Sequence, residues 1–268
     1  MKSYNAFAQF YDLLTQDVDY ANRAAYFHSL IDRYGNGGNL LLDLACGTGS
    51  LSLCLEKLGY NVIGVDGSPA MLGMAVSKKA ADSEILYLCQ EMDRLDLYGS
   101  IDVAVCALDS LNHVMEMSQL RDVFKRVSLF LNPGGVFIFD VNTEYKHKEI
   151  LGNNTFIYDL DEVYCVWQNI YDAAEMTTTI ELDFFQPDDE GAYWRSAESF
   201  QERVYTHEQL SALAQETDFE IAAVYDGDEV DGFIKESDTN LNSNPNPNPQ
   251  RLIYVLVNHK GGQKTWQP

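Results

Sequence analysis

Leu41-Leu42-Asp43-Leu44-Ala45-Cys46-Gly47-Thr48-Gly49 is the stretch on which the reading of this chain turns. An apolar run ends in a turn that carries two glycines, and helix-like sequence begins at Ser50. A second apolar run, Asn61-Val62-Ile63-Gly64-Val65, then delivers a lone carboxylate at Asp66. In an open α/β sheet, ligands bind outside the carboxyl ends of the strands. Glycines there let the backbone approach, and an acidic residue after the second strand accepts ribose hydroxyls. The two runs therefore point to a nucleoside site. A dinucleotide turn would read G-x-G-x-x-G. Gly47 and Gly49 fit it, but its third position is Ser52. No lysine follows either, so the G-x-x-x-x-G-K-[ST] phosphate loop is absent.

Outward from this stretch, strand and helix patterns alternate. Residues 4 to 34 read as helical, with Phe7, Tyr11 and Leu14 on one face and Tyr26, Phe27, Leu30, Ile31 and Tyr34 on another. Strands are expected at Leu40–Ala45, Asn61–Val65, Ile85–Cys89, Ile101–Ala107 and Val136–Val141. Ser68 reads as an N-cap with Pro69 at the first helical position, ahead of Met71, Leu72, Ala75 and Val76 facing the sheet. Ser118 reads as the cap of a further helix, and Asn132-Pro133-Gly134-Gly135 as the turn into strand five. This alternation predicts a parallel sheet with helices on both faces. The period then changes. Met176, Ile180, Leu182 and Phe184 alternate with Thr177, Thr179, Glu181 and Asp183, the mark of an antiparallel strand with one wet face. Tyr164–Tyr171 and Trp194–Tyr205 read as its partners. Thr206 with Gln209 forms a capping-box pattern, and strands Phe219–Tyr225 and Leu252–Asn258 close the sheet. Between them lie an acidic loop and the run Asn242 to Pro249, a low-complexity linker expected to be mobile.

Asp43 to Gly49, read as D-x-x-x-G-x-G, resembles motif I of the class I S-adenosylmethionine-dependent methyltransferases, and Asp66 resembles the ribose-binding acidic residue of their second strand. The resemblance covers roughly the whole chain apart from the insertion. It implies a Rossmann-like, seven-stranded, mostly parallel sheet with an antiparallel last strand, helices on both faces, and a small antiparallel β insertion after strand five. The expected division is 1–38 as an N-terminal helical lid, 39–150 and 206–268 as the cofactor-binding core, and 151–205 as a substrate roof. The implied cofactor is S-adenosyl-L-methionine. Ala45, Gly47 and Gly49 belong to the loop whose backbone approaches it, near a helix N-terminus that suits its carboxylate. Asp43 either fixes that loop or reaches the methionine amine. Gly67 and Met71 would pack on the adenine. Glu91 resembles the acidic residue that meets the adenine amino group, with Asp93 as its competitor and Met92 supplying an amide and an apolar wall. Leu108 would offer a backbone carbonyl.

The loop Leu108-Asp109-Ser110-Leu111-Asn112-His113 faces the sulfonium and the substrate in this family, which makes Asp109, Asn112 and His113 candidates for substrate contact. A capping or solvated role for Asp109 and a structural one for His113 remain open. Tyr11, in the aromatic N-terminal segment, is placed near the sulfonium if that segment is a lid, and in an ordinary packing face otherwise. The catalytic candidates are thus His113, Asp109 and Tyr11. Arg195 and Arg203 are the insertion's cations able to meet a substrate carboxylate. Its many aromatics serve a pocket roof, a core or a dimer interface.

Composition narrows the acceptor. The chain has 268 residues, with 18 basic and 41 acidic side chains and a net charge of −23. Such a surface repels phosphate backbones, so no nucleic-acid partner is expected. The position after strand four lacks the N-P-P-Y motif of enzymes that methylate base amino groups. The expected activity is methyl transfer to a nitrogen or oxygen of a small molecule, mainly by positioning for in-line displacement. A protein or RNA methyltransferase and a catalytically inactive cofactor-binding protein are the alternatives. Five cysteines without metal spacing suggest buried thiols in a reducing compartment, and no metal is expected. With no apolar run of membrane-spanning length, a cytoplasmic monomer or homodimer is expected.

Overall fold

A computed structural model describes residues 5–227 and 246–260, with side chains from residue 7 onward. Tyr4, most of the acidic loop and the 242–245 half of the low-complexity run lie outside the described residues. In chain order the elements are α1 (Asn5–Leu14), α2 (Tyr20–Tyr34), β1 (Leu40–Leu44), α3 (Ser50–Lys57), β2 (Asn61–Asp66), α4 (Pro69–Lys78), β3 (Leu86–Cys89), β4 (Ile101–Cys106), α5 (Met117–Phe130) and β5 (Leu131–Asn142). There follow β6 (Thr155–Asp159), β7 (Tyr164–Asp172), β8 (Thr177–Pro187), β9 (Tyr193–Arg203), α6 (His207–Glu216), β10 (Phe219–Asp226) and β11 (Arg251–Asn258).

Seven strands form one sheet in the order β10-β11-β5-β4-β1-β2-β3, and β6-β7-β8-β9 form a separate antiparallel sheet. In the large sheet β1 pairs in parallel with both β2 and β4, while β11 runs antiparallel to β5 and β10. The chain reverses its direction of travel across the sheet between β1 and β4. That switch point leaves a crevice at the carboxyl ends of the two strands, directly over the Ala45–Gly49 turn. Successive strand residues point to opposite faces. Leu42, Leu44, Phe137 and Phe139 therefore join the core under α5 and α6. Leu41, Val105, Val136 and Ile138 join the one under α2 and α3. The sheet is buried on both faces, which explains its nearly unbroken apolar strands.

The expected caps form at two helices. Ser68 Oγ accepts from Met71 N at 3.3 Å ahead of Pro69, and Thr206 with Gln209 makes a full capping box. Other expectations are corrected. Glu116 is the N-cap of α5, and Ser118 sits inside its first turn. Val76 is 57 % exposed rather than facing the sheet. The Asn132–Gly135 turn is taken into β5 as an irregularity opposite β4. The last strand of the insertion stops at Arg203, and Tyr205 turns into the main core. β6, unforeseen, shows no alternation because both its faces are largely exposed. A π-helical turn over Lys146–Leu151 joins β5 to it.

A third core explains how the insertion is attached. Phe7, Phe10 and Leu14 of α1 pack with Ile180, Leu182 and Phe184 of β8 and with Met71 of α4. Phe7 lies edge-on to Trp167 at 6.0 Å between ring centroids and stacks near Phe200 at 5.9 Å. α1 thus bridges the insertion sheet and the rim of the crevice. Tyr158, Trp167, Phe184 and Phe200 of the insertion serve this core, while Tyr193 and Trp194 are exposed.

Candidate active site

The crevice is built from three left-handed turns at strand ends. Ala45 (φ 58°) follows β1, and Leu108 (φ 56°) and Asp109 (φ 52°) follow β4. Non-glycine residues in this region cost energy and persist only where surrounding contacts hold them. For Leu108 and Asp109 the holder is Asp140 of β5, fully buried. Its carboxylate accepts from Leu108 N at 2.8 Å and from Asp109 N at 3.1 Å. Arg251 of β11 pairs with both Asp140 and Asp109, the latter at 2.9 Å. Burial alone would raise the Asp109 carboxyl, but the charge and hydrogen bond of Arg251, together with His113 and His147, hold the group below its ordinary value.

Asp66 is fixed at the end of β2. One oxygen accepts from Gly47 N at 2.9 Å and the other from Ser68 N at 2.7 Å. Burial raises its pKa, and these two donors oppose the rise. Gly67 has no room for a side chain, since a Cβ there would stand 2.8 Å from Glu91 Oε2. Asp43 is buried and accepts from Ser52 Oγ at 2.5 Å. Its burial pushes the carboxyl up to about 7. It thus fixes the loop and also borders the crevice.

Three cavities meet here. The first, about 670 Å³ with its open mouth, is lined by Ala45, Gly47, Asp66, Gly67, Met71, Glu91, Met92 and Leu108. Eight of the ten expected cofactor residues therefore come together on one wall, and Glu91 rather than Asp93 is among them. The second cavity runs from Ala45 and Gly47 past Asp43 and Thr48 to Ser50 at the N-terminus of α3. The third opens between α1, the insertion sheet and the ends of β4 and β5. It is lined by Asp109, His113, Asn142, Glu202 and Arg251 with Trp167, Phe200 and Tyr158. Tyr11 and Leu108 line all three, and His113 lines the first and third.

Four expected residues take other places. Gly49 lines none of the three cavities. Its amide donates to Cys46 O at 2.9 Å, and a Cβ would collide with Tyr87, so it serves the packing of α3. Asn112 is wholly buried, donating to Arg203 O at 2.8 Å and accepting from Asn142 N at 3.0 Å. Arg203 donates through Nη1 to Met115 O at 2.8 Å. Arg195 pairs with Asp183 at 2.5 Å on the exposed part of the insertion sheet. None of these three lines the third cavity, because each is committed to bracing the insertion or its neighbours.

Asp140, Arg251, Glu202 and His147 were not foreseen as site residues. Asp140 carried one signal, a lone charge inside the apolar run Val136–Val141. Arg251 carried none, since its partners are remote in sequence. His147 Nδ1 lies 2.8 Å from Thr178 Oγ1, and its Nε2 stands 3.8 Å from Glu202.

The match to known proteins agrees with this geometry. Residues 41–135 fit the family model described as a methyltransferase domain. The chain is 30 % identical over 222 residues, 82 % of its length and 88 % of the relative's, to a Bacillus subtilis (strain 168) protein named "Putative methyltransferase YqeM". It superposes on the crystal structure of an S-adenosylmethionine-dependent methyltransferase from Clostridium acetobutylicum ATCC 824 with a TM-score of 0.79. That match has 32 % identity and covers 97 % of this chain and 99 % of the other. The fold also matches the sugar N-methyltransferase KedS8 of Streptoalloteichus, with TM-score 0.72 and 19 % identity over 92 % of each chain. The chain belongs to the S-adenosylmethionine-dependent methyltransferases.

The residues present fit that cofactor. Gly47 lines both cofactor-side cavities, and a Cβ placed on it would meet no protein atom within 4 Å. The open space beside it is what a nucleoside ligand needs, with a carboxylate for a ribose on one side and a helix N-terminus on the other.

Proposed function

We propose that this methyltransferase acts on a nitrogen or oxygen of a small molecule held in the third cavity. One observation carries the reading: Tyr11 and Leu108 stand where the two cofactor-side cavities meet the third. A ligand reaching from Asp66 to the N-terminus of α3 has its middle at that junction. When bound, the cofactor supplies an electrophilic methyl group on a sulfonium that leaves as a neutral thioether.

The chain's own residues do the rest. Asp66 would accept the ribose hydroxyls, and Glu91 the adenine amino group, with Met71 and Met92 as walls. Ala45 and Gly47 present backbone, and Asp43 holds their loop. Leu108 offers its carbonyl at the junction, and Tyr11 turns its ring toward the positive centre. Phe200 and Trp167 help exclude water, so that orientation supplies most of the rate. His113 separates the cofactor side from the acceptor side and is the side chain placed to meet an acceptor. Asp109 acts by holding the loop with Arg251. We read 1–38 as the lid, 151–205 as the roof and the remainder as the cofactor-binding core.

The net charge of −23 supports a small acceptor over a nucleic acid. No described helix is long and apolar enough to cross a membrane. All five cysteines are free, which supports a reducing, cytoplasmic setting. Titration calorimetry with S-adenosylmethionine, S-adenosylhomocysteine and NADH tests the cofactor side. Micromolar binding of the first two and none of NADH is expected. A radiolabelled-methyl screen of amines, acids and phenols then tests the acceptor. Labelling of an RNA or protein substrate in preference to all of these would overturn the small-molecule reading.

A further inference from the structure

The third cavity holds one carboxylate that its surroundings leave incomplete. Both oxygens of Asp109 are engaged, one by Arg251 and the other by Asn142 Nδ2 at 2.9 Å. Both oxygens of Asp140 are engaged by the Leu108 and Asp109 amides and by Arg251. Glu202 differs. Its side chain is 6 % exposed and is hydrogen-bonded by the Asn142 side chain, yet its Oε2 has no hydrogen-bond partner among the described residues. Two imidazoles face it, His113 and His147, each with Nε2 at 3.8 Å. That is outside hydrogen-bond range. His147 Nε2 is also buried without a hydrogen-bond partner among the described residues. Buried polar atoms are almost always satisfied; of this pair Glu202 lines the cavity while His147 lies behind it, so the carboxyl group, with Oε1 toward His113, is the member that a ligand can reach.

The charges around it indicate which ligand. Facing the cavity, the carboxyl groups of Asp17, Asp109 and Glu202, with Asp140 behind them, stand against two permanent cations, Arg251 and Lys146. Lys146 is turned toward Gln250, whose Oε1 accepts from Nζ at 2.9 Å. Burial holds both histidines below their ordinary pKa, His147 at about 4, so neither supplies a positive charge near neutrality. With Asp17 in the wall, the acidic groups outnumber the cations whether or not Glu202 is ionised, so an added cation would lessen the excess and an added carboxylate or phenolate would worsen it.

We infer that Glu202 binds the acceptor as an amine, taking an ammonium group between His113 and the junction at Tyr11 and then accepting its proton. In that step the acceptor N–H bond breaks and an O–H bond forms on the Glu202 carboxylate. The nitrogen keeps the electron pair and presents it toward the cofactor side. Burial raises the Glu202 carboxyl well above its ordinary value, which suits a proton acceptor working near neutral pH. Burial thus favours the protonated carboxyl in the empty site, and capture of an ammonium ion releases that proton to solvent. The inference rests on the small-molecule reading above and narrows its acceptor from nitrogen or oxygen to nitrogen.

The test uses the full-length protein saturated with S-adenosylhomocysteine and titrated at pH 7 with benzylamine and ethanolamine, against benzyl alcohol and ethylene glycol. The amines are expected to bind at least tenfold more tightly than the alcohols. Repeating the titration in buffers of different ionisation enthalpy should show a proton released per amine bound. Glu202→Gln keeps the shape of the side chain. It should keep S-adenosylhomocysteine affinity within about twofold, which also verifies its fold, and lose both the amine preference and the proton release. In the methyl-transfer screen it should lower kcat for amines at least a hundredfold. Amines that bind no better than alcohols, or that bind Glu202→Gln with the same proton release, would overturn the inference while leaving the methyltransferase reading intact. Failure of the folded wild-type protein to bind S-adenosylhomocysteine would overturn both.

Discussion

At the residue scale the cofactor wall follows from a few side chains with fixed partners. Asp66 is held by two backbone amides, so it reaches a ribose without paying to be ordered. Asp66→Ala should weaken S-adenosylhomocysteine binding about tenfold or more in calorimetry, the usual loss for a charged hydrogen-bond partner. Unchanged affinity would remove Asp66 from the site. Asp140 is a different case, since its carboxylate holds a strained loop and a buried cation together. Removing one partner of a buried pair leaves the other uncompensated. Asp140→Ala should cost roughly 3 kcal/mol in urea unfolding, at the low end for such pairs because Arg251 keeps Asp109. The added change Arg251→Ala should restore part of that loss. Asp66 and Glu91 were legible because a strand end fixes where the next side chain goes. Arg251 was not, because its pairing depends on β11 lying beside β5, which local sequence does not encode.

At the element scale α1 is tied to the motif turn by polar bonds as well as by its aromatic face. Asp12 of α1 accepts from Thr48 Oγ1 at 2.6 Å and from Lys78 Nζ at 2.7 Å. Lys78 also donates to Ser50 Oγ at 2.8 Å. One carboxylate thus joins α1 to the first residue of α3 and the last residue of α4, beside the second cavity. The group is partly exposed, so its contribution is discounted for screening to about 1 kcal/mol. Asp12→Ala should speed S-adenosylhomocysteine release about fivefold in stopped-flow fluorescence. Hydrogen exchange in α1 should rise with it, and an unaltered release rate would mean that α1 does not gate the crevice. The amphipathic face of α1 was legible from the spacing of Phe7, Tyr11 and Leu14. Asp12 was not singled out, because an acidic residue on a surface helix has no local mark of a distant partner. β6 escaped notice for the opposite reason: with both faces exposed, it has no period to detect.

At the scale of the whole molecule, two sheets with separate cores must hold one cavity between them. The seam is partly aromatic, through α1, and partly polar, through His147, which is fully buried between the π-helical turn after β5 and Thr178 of β8. Fold class and cofactor were legible because alternating strands and helices admit few topologies. This seam was not, since it joins residues 31 apart by one contact in a connection without regular period. It makes the attachment of the insertion sheet depend on pH. Burial lowers the His147 pKa from its ordinary 6.5 to about 4. Between those values the unfolded chain binds a proton that the folded chain does not, so stability falls as pH drops from 6.5 toward 4. The contribution lost over that window is about 3 kcal/mol, on 1.36 kcal/mol per pKa unit. Chemical denaturation across pH 4 to 7 should show a steeper loss for the wild type than for His147→Gln, whose amide cannot charge. The two curves should run parallel above pH 6.5 and converge toward pH 4. Curves parallel throughout would mean that folding does not lower the His147 pKa, and the seam would then not depend on pH.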